Sequence, residues 1–305
     1  MKNAILCPGQ GAQTVGMGKD FYQAYPEARR IYDEADKILG FSIAHICFDG
    51  PDEKLQATDN AQVGIFVTTV AICQTLKSLG KYPQKFDFAA GLSLGEYTAL
   101  HLADVFNFSD AIKLVRARGE LMQAAALKEP STMLALIGAD ETAAGEICRE
   151  ASAAGVIVAA NFNAPGQIVL SGSIPACQKA GQIAAEKGFR SVPLNVAGAF
   201  HSPFMKSAAE EMQKVLSGVA MRPPNMPVIS NVTARPHENV ESIRRLLVEQ
   251  IIAPVRWRQS MEYLKQQDVE SFLEPGPGRV LTGMLKKIDR RATVRNVSDV
   301  AAISA

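Results

Sequence analysis

The chain has 305 residues, 47% hydrophobic and 21% charged, the balance of a globular protein long enough for one large domain or for a domain carrying an insert. With a formal net charge of +1, nothing in the overall balance points to nucleic acid or an anionic membrane as main partner, while a local basic patch for an acidic protein stays open. Cys7, Cys47, Cys73, Cys148 and Cys177 are odd in number and scattered, which argues for free thiols in a reducing compartment and against a disulfide framework or a zinc site.

From the N-terminal end, "MKNAILCPGQ" has too short an apolar run for a signal peptide. "VGIFVTTVAIC", the strongest apolar stretch, is too short to span a bilayer. A cytoplasmic setting is expected, or an organelle interior after loss of a transit peptide. "KNAILCPGQG" reads as a buried strand running into a glycine-rich turn, and "FDFAAGLSLGEYTALHLA" as strand, turn and helix. "SDAIKLVRARGELMQAAAL" is predicted to be a helix with Ser109 as its N-cap. "TMLALIG", "ETAAGEICREASAAG", "VIVAANF", "GQIVLSG", "PACQKAGQIAAEKG" and "RSVPLNV" then follow as strand, helix, strand, strand, helix, strand. That βαββαβ order over residues 131–196, with "NAPG" turning the central hairpin, is the split arrangement of ferredoxin-like domains. "NMPVISNV" and "VESFLEPGPG" read as later strands separated by a helix from Val240 to Gln250. The expected fold is therefore α/β, a large domain over residues 1–128 and 197–305 interrupted by a small α+β insert at 129–196, the two packed around one cleft.

Two nucleotide motifs fail. Gly9 and Gly11 follow a strand, but the third glycine of a dinucleotide fingerprint is replaced by Thr14. "GMGKD" lacks the hydroxyl residue after Lys19 and has Gln13 at the earlier glycine position of a phosphate-binding loop.

"GLSLG" places Ser93 between glycines at a strand-to-helix turn. Chance alone gives Gly-x-Ser-x-Gly in about one chain of this length in ten, so a plain turn serine competes with a nucleophile on a strained elbow. Small flanking residues and the helix dipole that follows favour the nucleophile. It needs a base, and four histidines are available. His45 sits in an apolar helical run and reads as structural; His237, in "ARPHENV", reads as solvated. His101 lies on the helix that follows Ser93, about 12 Å along its axis, and points away. His201, in "NVAGAFHSPF", follows small residues where the chain returns from the insert, and is the remaining candidate base.

On the helix that follows, Lys113, Arg116, Glu120 and Gln123 share a polar side, so Arg116 reads as solvated. Leu114, Arg118, Leu121 and Ala125 follow the opposite, apolar stripe. A buried guanidinium needs an anion. That anion is either an internal carboxylate or a substrate acid gripped by the fork; the latter, joined to a serine acyl-enzyme, implies a donor such as a malonyl thioester.

"PGQGAQ", "GLSLGEYTAL", "RGELMQ", "NAPGQIVLSG", "AGAFHSPFM", "PVRW" and "EPGPGRVLTGML", in this order over nearly the whole length, resemble the malonyl-CoA:acyl carrier protein transacylases, the FabD-like acyltransferases. The resemblance implies an α/β-hydrolase-like core with a ferredoxin-like insert. It implies Ser93 as the acylated serine, His201 as general base and Arg118 as the carboxylate anchor. It further implies main-chain N–H groups of Gln10 and Leu94 as the oxyanion hole, and a main-chain carbonyl of Gln250 that orients the histidine in place of a third acid. Leu94 and "AFHS" go with malonyl rather than methylmalonyl selection. The implied reaction transfers malonyl from malonyl-CoA to the phosphopantetheine thiol of acyl carrier protein in fatty acid biosynthesis. It implies no metal or redox cofactor, CoA being substrate and product; a monomer is expected, and no nucleic acid or membrane partner. Two departures stand out: Leu92, where many members carry histidine, and Ala253 before Pro254, where polar residues are common. Serine thioesterases share the elbow but commonly add an acid to the triad, and polyketide-pathway acyltransferases share the chemistry entirely.

Overall fold

The computed structural model describes residues 2–303; Met1, Ser304 and Ala305, at the outer ends of the segments read as the large domain, lie outside the described residues. In chain order the strands are β1 (Lys2–Cys7), β2 (Phe88–Gly91), β3 (Ser131–Ile137), β4 (Ile157–Ala164), β5 (Gln167–Ser173), β6 (Arg190–Pro193), β7 (Val228–Ile229), β8 (Val269–Pro275) and β9 (Thr293–Val297). The fold is α/β, built on a five-stranded sheet of order β7-β2-β1-β8-β9 in which every neighbouring pair is parallel. Strand β1 is buried along "AILC" and β2 along its whole length, the continuous apolar run expected of a parallel strand covered on both faces.

Residues 131–193 form a second sheet, antiparallel, of order β4-β5-β3-β6. The helices Glu141–Ala151 and Ile174–Glu186 pack on it, closing an apolar core of their own around Leu136, Ile147, Leu170 and Ile183. Asp140 and Ser173 cap these helices through their side chains.

"VGIFVTTVAIC" belongs to the helix Thr58–Ser78, whose buried residues surround its axis, so its hydrophobicity serves the protein core. Among the described residues no helix is long and apolar enough to cross a membrane. The next long helix runs from Phe108 to Lys128 and is capped by Asn107, whose side chain accepts from the Asp110 N–H at 2.8 Å; Ser109 lies inside its first turn. Both residues are good caps, and the chain chose the one that leaves Phe108 within the helix. "NMPVISNV" contributes only Val228–Ile229 to the sheet, because Ser230 and Asn231 turn away at its edge. Strand β9, at the opposite edge, lies in a segment whose sequence gave no strand reading above.

Register positions the site. Leu6 pairs with Ala90 and Cys7 with Gly91, so β1 and β2 end level with each other. The loop "PGQG" and the turn "LSLG" therefore leave the sheet side by side at its carboxyl edge, where open α/β sheets bind ligands.

Candidate active site

Ser93 sits between β2 and the helix Leu94–Leu102 with φ 52° and ψ −105°, a strained conformation for a residue with a side chain. The turn is held from outside: the Ser93 N–H donates to Asn231 Oδ1 at 2.6 Å, and Asn231 Nδ2 donates to the Gly91 carbonyl at 2.7 Å. The hydroxyl is thus presented off a fixed elbow.

His201 Nε2 lies 2.8 Å from Ser93 Oγ, and His201 Nδ1 lies 2.7 Å from the main-chain carbonyl of Gln250. A carbonyl only accepts, so Nδ1 carries the proton and Nε2 faces the serine as an acceptor. The ring is 4% exposed. Burial, then the positive charge of Arg118, push its pKa down to about 4, against the opposing effect of the Gln250 hydrogen bond. The imidazole is consequently neutral and free to take a proton.

Arg118 is 1% exposed. Its helix, Phe108–Lys128, approaches Thr58–Ser78 so closely at Gly119 that a Cβ there would stand 2.7 Å from Asp59 Cα. That approach brings Gln62 against Arg118: Nη1 donates to Gln62 Oε1 at 2.6 Å, while Nη2 donates to Ser93 Oγ and to Gln250 Oε1, each at 2.9 Å. No carboxylate forms an ion pair with it among the described residues, and its Nε–H has no acceptor. Of the two anions weighed for this guanidinium, the internal one is absent from direct contact; neutral amides and the serine hydroxyl stand there instead. An orphaned, buried, charged donor beside the Ser93 hydroxyl is suited to an anionic group brought by a ligand.

The main-chain N–H groups of Gln10 and Leu94 donate to no protein group among the described residues. Gln10, Ser93 and His201 line a cavity of about 300 Å³ together with Met133, Asn161 and Val169 of the antiparallel sheet. Leu94, Arg118 and Gln250 are buried and do not line it. Leu92 also lines the cavity and belongs to the apolar cluster that contains Leu281 and Met284.

Three histidine and arginine readings need correction. His237 is buried: its Nε2 lies 2.8 Å from Glu96 Oε1, both side chains being sealed from solvent. The polar loop "ARPHENV" hid this, because Pro236 bridges back to Ile229 and carries the histidine inward. His45 is exposed and pairs loosely with Asp49 at 3.2 Å, so it is no structural core residue. Arg116 is half-buried between Asp59 and Glu120 and stacks on Phe41. His101 does turn away from Ser93, with its Nδ1 3.0 Å from the Phe106 carbonyl. Asn231 and Glu96 were not singled out from sequence; the available signal was a polar "SN" ending an apolar run and an acid in "LGEYTAL" with no polar neighbour on its face.

Residues 5–303 match the family model described as "Acyl transferase domain". The chain is 41% identical over 304 residues to the malonyl CoA-acyl carrier protein transacylase of Bacillus subtilis (strain 168), covering 99% of this chain and 95% of that relative. The solved acyl-carrier-protein-S-malonyltransferase from Bartonella henselae is similar at a TM-score of 0.96 and 38% identity, over 100% of this chain and 98% of that one. A malonyl-transacylase solved in complex with its type II PKS acyl-carrier protein is similar at a TM-score of 0.96 and 36% identity, over 100% and 98% of the two chains.

Proposed function

The chain belongs to the acyl transferase family of malonyl CoA-acyl carrier protein transacylases, and from that premise we propose that the malonyl group travels through Ser93. The enzyme transfers malonyl from malonyl-CoA to acyl carrier protein, and fatty acid biosynthesis is the pathway we assign to it. In our reading the donor's free carboxylate is held by Arg118, exchanging places with the neutral oxygens now on the guanidinium and using the unpartnered Nε–H.

His201 Nε2 takes the Ser93 proton as Oγ attacks the thioester carbonyl. The free amides of Gln10 and Leu94 receive the oxyanion of the tetrahedral intermediate; losing one such donor costs about 10²–10³ in rate. The CoA sulfur leaves with the proton from His201, and malonyl-Ser93 remains. The phosphopantetheine thiol of the carrier then gives its proton to His201 and attacks the ester, and the serine recovers its proton as malonyl-carrier protein departs. Proton and acyl group balance in both halves with CoA as the only small product, so the reaction we propose calls on no metal or redox cofactor.

We read the architecture as an α/β-hydrolase-like catalytic domain, residues 1–128 and 197–305, interrupted by a ferredoxin-like subdomain, residues 129–196. The parallel and antiparallel sheets and the cavity between them support that division. The five cysteines, all free, fit the cytoplasmic setting we assign.

The observation that carries the reading is the triangle of Ser93 Oγ, His201 Nε2 and Arg118 Nη2, with two of its sides at 2.8 and 2.9 Å. Intact-mass measurement after exposure to malonyl-CoA tests it: one malonyl adduct is expected, lost in Ser93→Ala and discharged by holo-carrier protein. An adduct that persists in Ser93→Ala, or that water removes as fast as the carrier does, removes the reading.

A further inference from the structure

Two buried acids, Glu96 and Glu274, have no part in the mechanism, and Glu96 is the one beside the site. Glu96, in the first turn of Leu94–Leu102, is fully buried. Its Oε1 accepts from His237 Nε2 at 2.8 Å, and its Oε2 accepts from the Asn231 main-chain N–H at 3.0 Å and from Gln250 Nε2 at 2.7 Å. Three N–H donors converging on two oxygens make the acceptor-only setting that a carboxylate anion fills.

This arrangement fixes the Gln250 amide. Its NH₂ group faces Glu96 and the Ser93 carbonyl, the latter at 2.9 Å, so its oxygen must face Arg118 Nη2. Turning the amide over would oppose its oxygen to the Glu96 carboxylate and its NH₂ to the guanidinium, breaking both contacts. Electrostatics points the same way. Burial pulls the Arg118 pKa down; Tyr97 and Glu96 hold it up, and Tyr97 is a phenol kept neutral by its own burial, which leaves Glu96 as the formal negative charge.

We propose that Glu96 is a positioning residue for donor selection: a counter-ion one amide removed from Arg118, which offsets the cost of its buried charge and holds the guanidinium oriented without occupying it. The proposal rests on Arg118 as the anchor of the donor's carboxylate. A carboxylate in direct contact would saturate the fork and compete with the substrate's acid. A neutral amide oxygen, the weaker partner, yields to that acid while Glu96 holds the amide in place.

The test compares acyl-enzyme formation from malonyl-CoA and from acetyl-CoA, as kcat/KM, in the unaltered chain, Glu96→Gln, Gln250→Met and His237→Gln. Gln250→Met keeps the main-chain carbonyl that orients His201 but cuts the relay. Both it and Glu96→Gln are expected to lower the malonyl-to-acetyl ratio on the order of tenfold or more. His237→Gln, which leaves the carboxylate in place, is expected to keep the ratio. Equal losses on the two donors in Glu96→Gln, or a ratio that does not move, overturn the relay and assign Glu96 to the scaffold alone. If Glu96→Gln does not fold by thermal melting, Gln250→Met decides by the same ratio. Failure of the malonyl-Ser93 reading is seen separately, in the unaltered chain.

Discussion

Arg118 Nη2 lies 2.9 Å from Ser93 Oγ, although the two residues stand 25 positions apart on the chain. On the proposed acylation of Ser93, the contact leaves the guanidinium within reach of the free carboxylate of a short diacid thioester. Arg118→Ala is expected to lower kcat/KM with malonyl-CoA on the order of a hundredfold or more, and with acetyl-CoA far less, because acetyl never uses the charge. Arg118→Lys should recover little, since an ammonium cannot reproduce the planar fork. Parallel losses on the two donors would remove Arg118 from donor choice.

His201 carries a pH prediction with two readouts. Its pKa is pushed from an ordinary 6.5 down to about 4, so the base stays unprotonated well below the usual imidazole range. The acid limb of kcat/KM for acylation should lie near the lower value, and a limb between pH 6 and 7 would contradict the buried, Arg118-facing ring. Stability follows by linkage. The unfolded chain takes up a proton near 6.5 while the folded one resists, so this contribution is whole above pH 6.5 and is lost as pH falls toward 4. The loss is about 3 kcal/mol. Urea unfolding at pH 7 and pH 4.5 should show a smaller pH dependence in His201→Gln than in the unaltered chain.

Much of this was legible in the sequence, for identifiable reasons. The strand-turn-helix around Ser93 is marked by small residues at the spacing of an elbow between a strand-like and a helix-like run, and Arg118 by its place on an apolar stripe. The antiparallel sheet and its two helices are readable because strand-like runs and helices of clear period follow one another there and the helix caps are side-chain caps. What was hidden depends on contacts between distant segments. Nothing local distinguishes His237 in a polar loop from a solvated histidine; it is the buried Glu96, 141 positions away, that makes it an inside residue. Likewise β9 is a short edge strand with "TVRNV" half exposed, so it lacks the apolar run that marks β1.

Gly95 tests how tightly the two loops are packed. A Cβ at this position would stand 2.1 Å from the Cys7 carbonyl oxygen, at the end of β1. Main chain on both sides leaves no side chain to move aside. Gly95→Ala is expected to destabilise by about 3 kcal/mol or more and to reduce acylation through displacement of the Gln10 loop. Thermal unfolding and single-turnover acylation measure both effects; an unchanged melting temperature would mean that the two loops separate freely.

The elbow's dependence on Asn231 is the sharpest remaining prediction, because Asn231 touches neither the hydroxyl nor the imidazole through its side chain. Its amide ties both ends of the turn, accepting from the Ser93 N–H and donating to the Gly91 carbonyl, while its own N–H is fixed by Glu96. The backbone of Ser93, at φ 52° and ψ −105°, stores strain of about 1–3 kcal/mol that these contacts must offset. In Asn231→Ala two main-chain groups lose their partners, at about 1–3 kcal/mol for each that stays buried and unsatisfied. The turn can then relax, and Ser93 Oγ drifts from His201 Nε2. Arg118 keeps its contact with Gln62, so donor binding should suffer least. The expected signature is a lower melting temperature with a fall in kcat that exceeds any rise in KM for malonyl-CoA. Asn231→Asp separates the two ties: it keeps the acceptor for the Ser93 N–H but faces the Gly91 carbonyl with a second oxygen, so it should restore part of kcat and little of the stability. If both variants melt and turn over like the unaltered chain, the elbow holds its shape through its own turn, and the strain at Ser93 has another support.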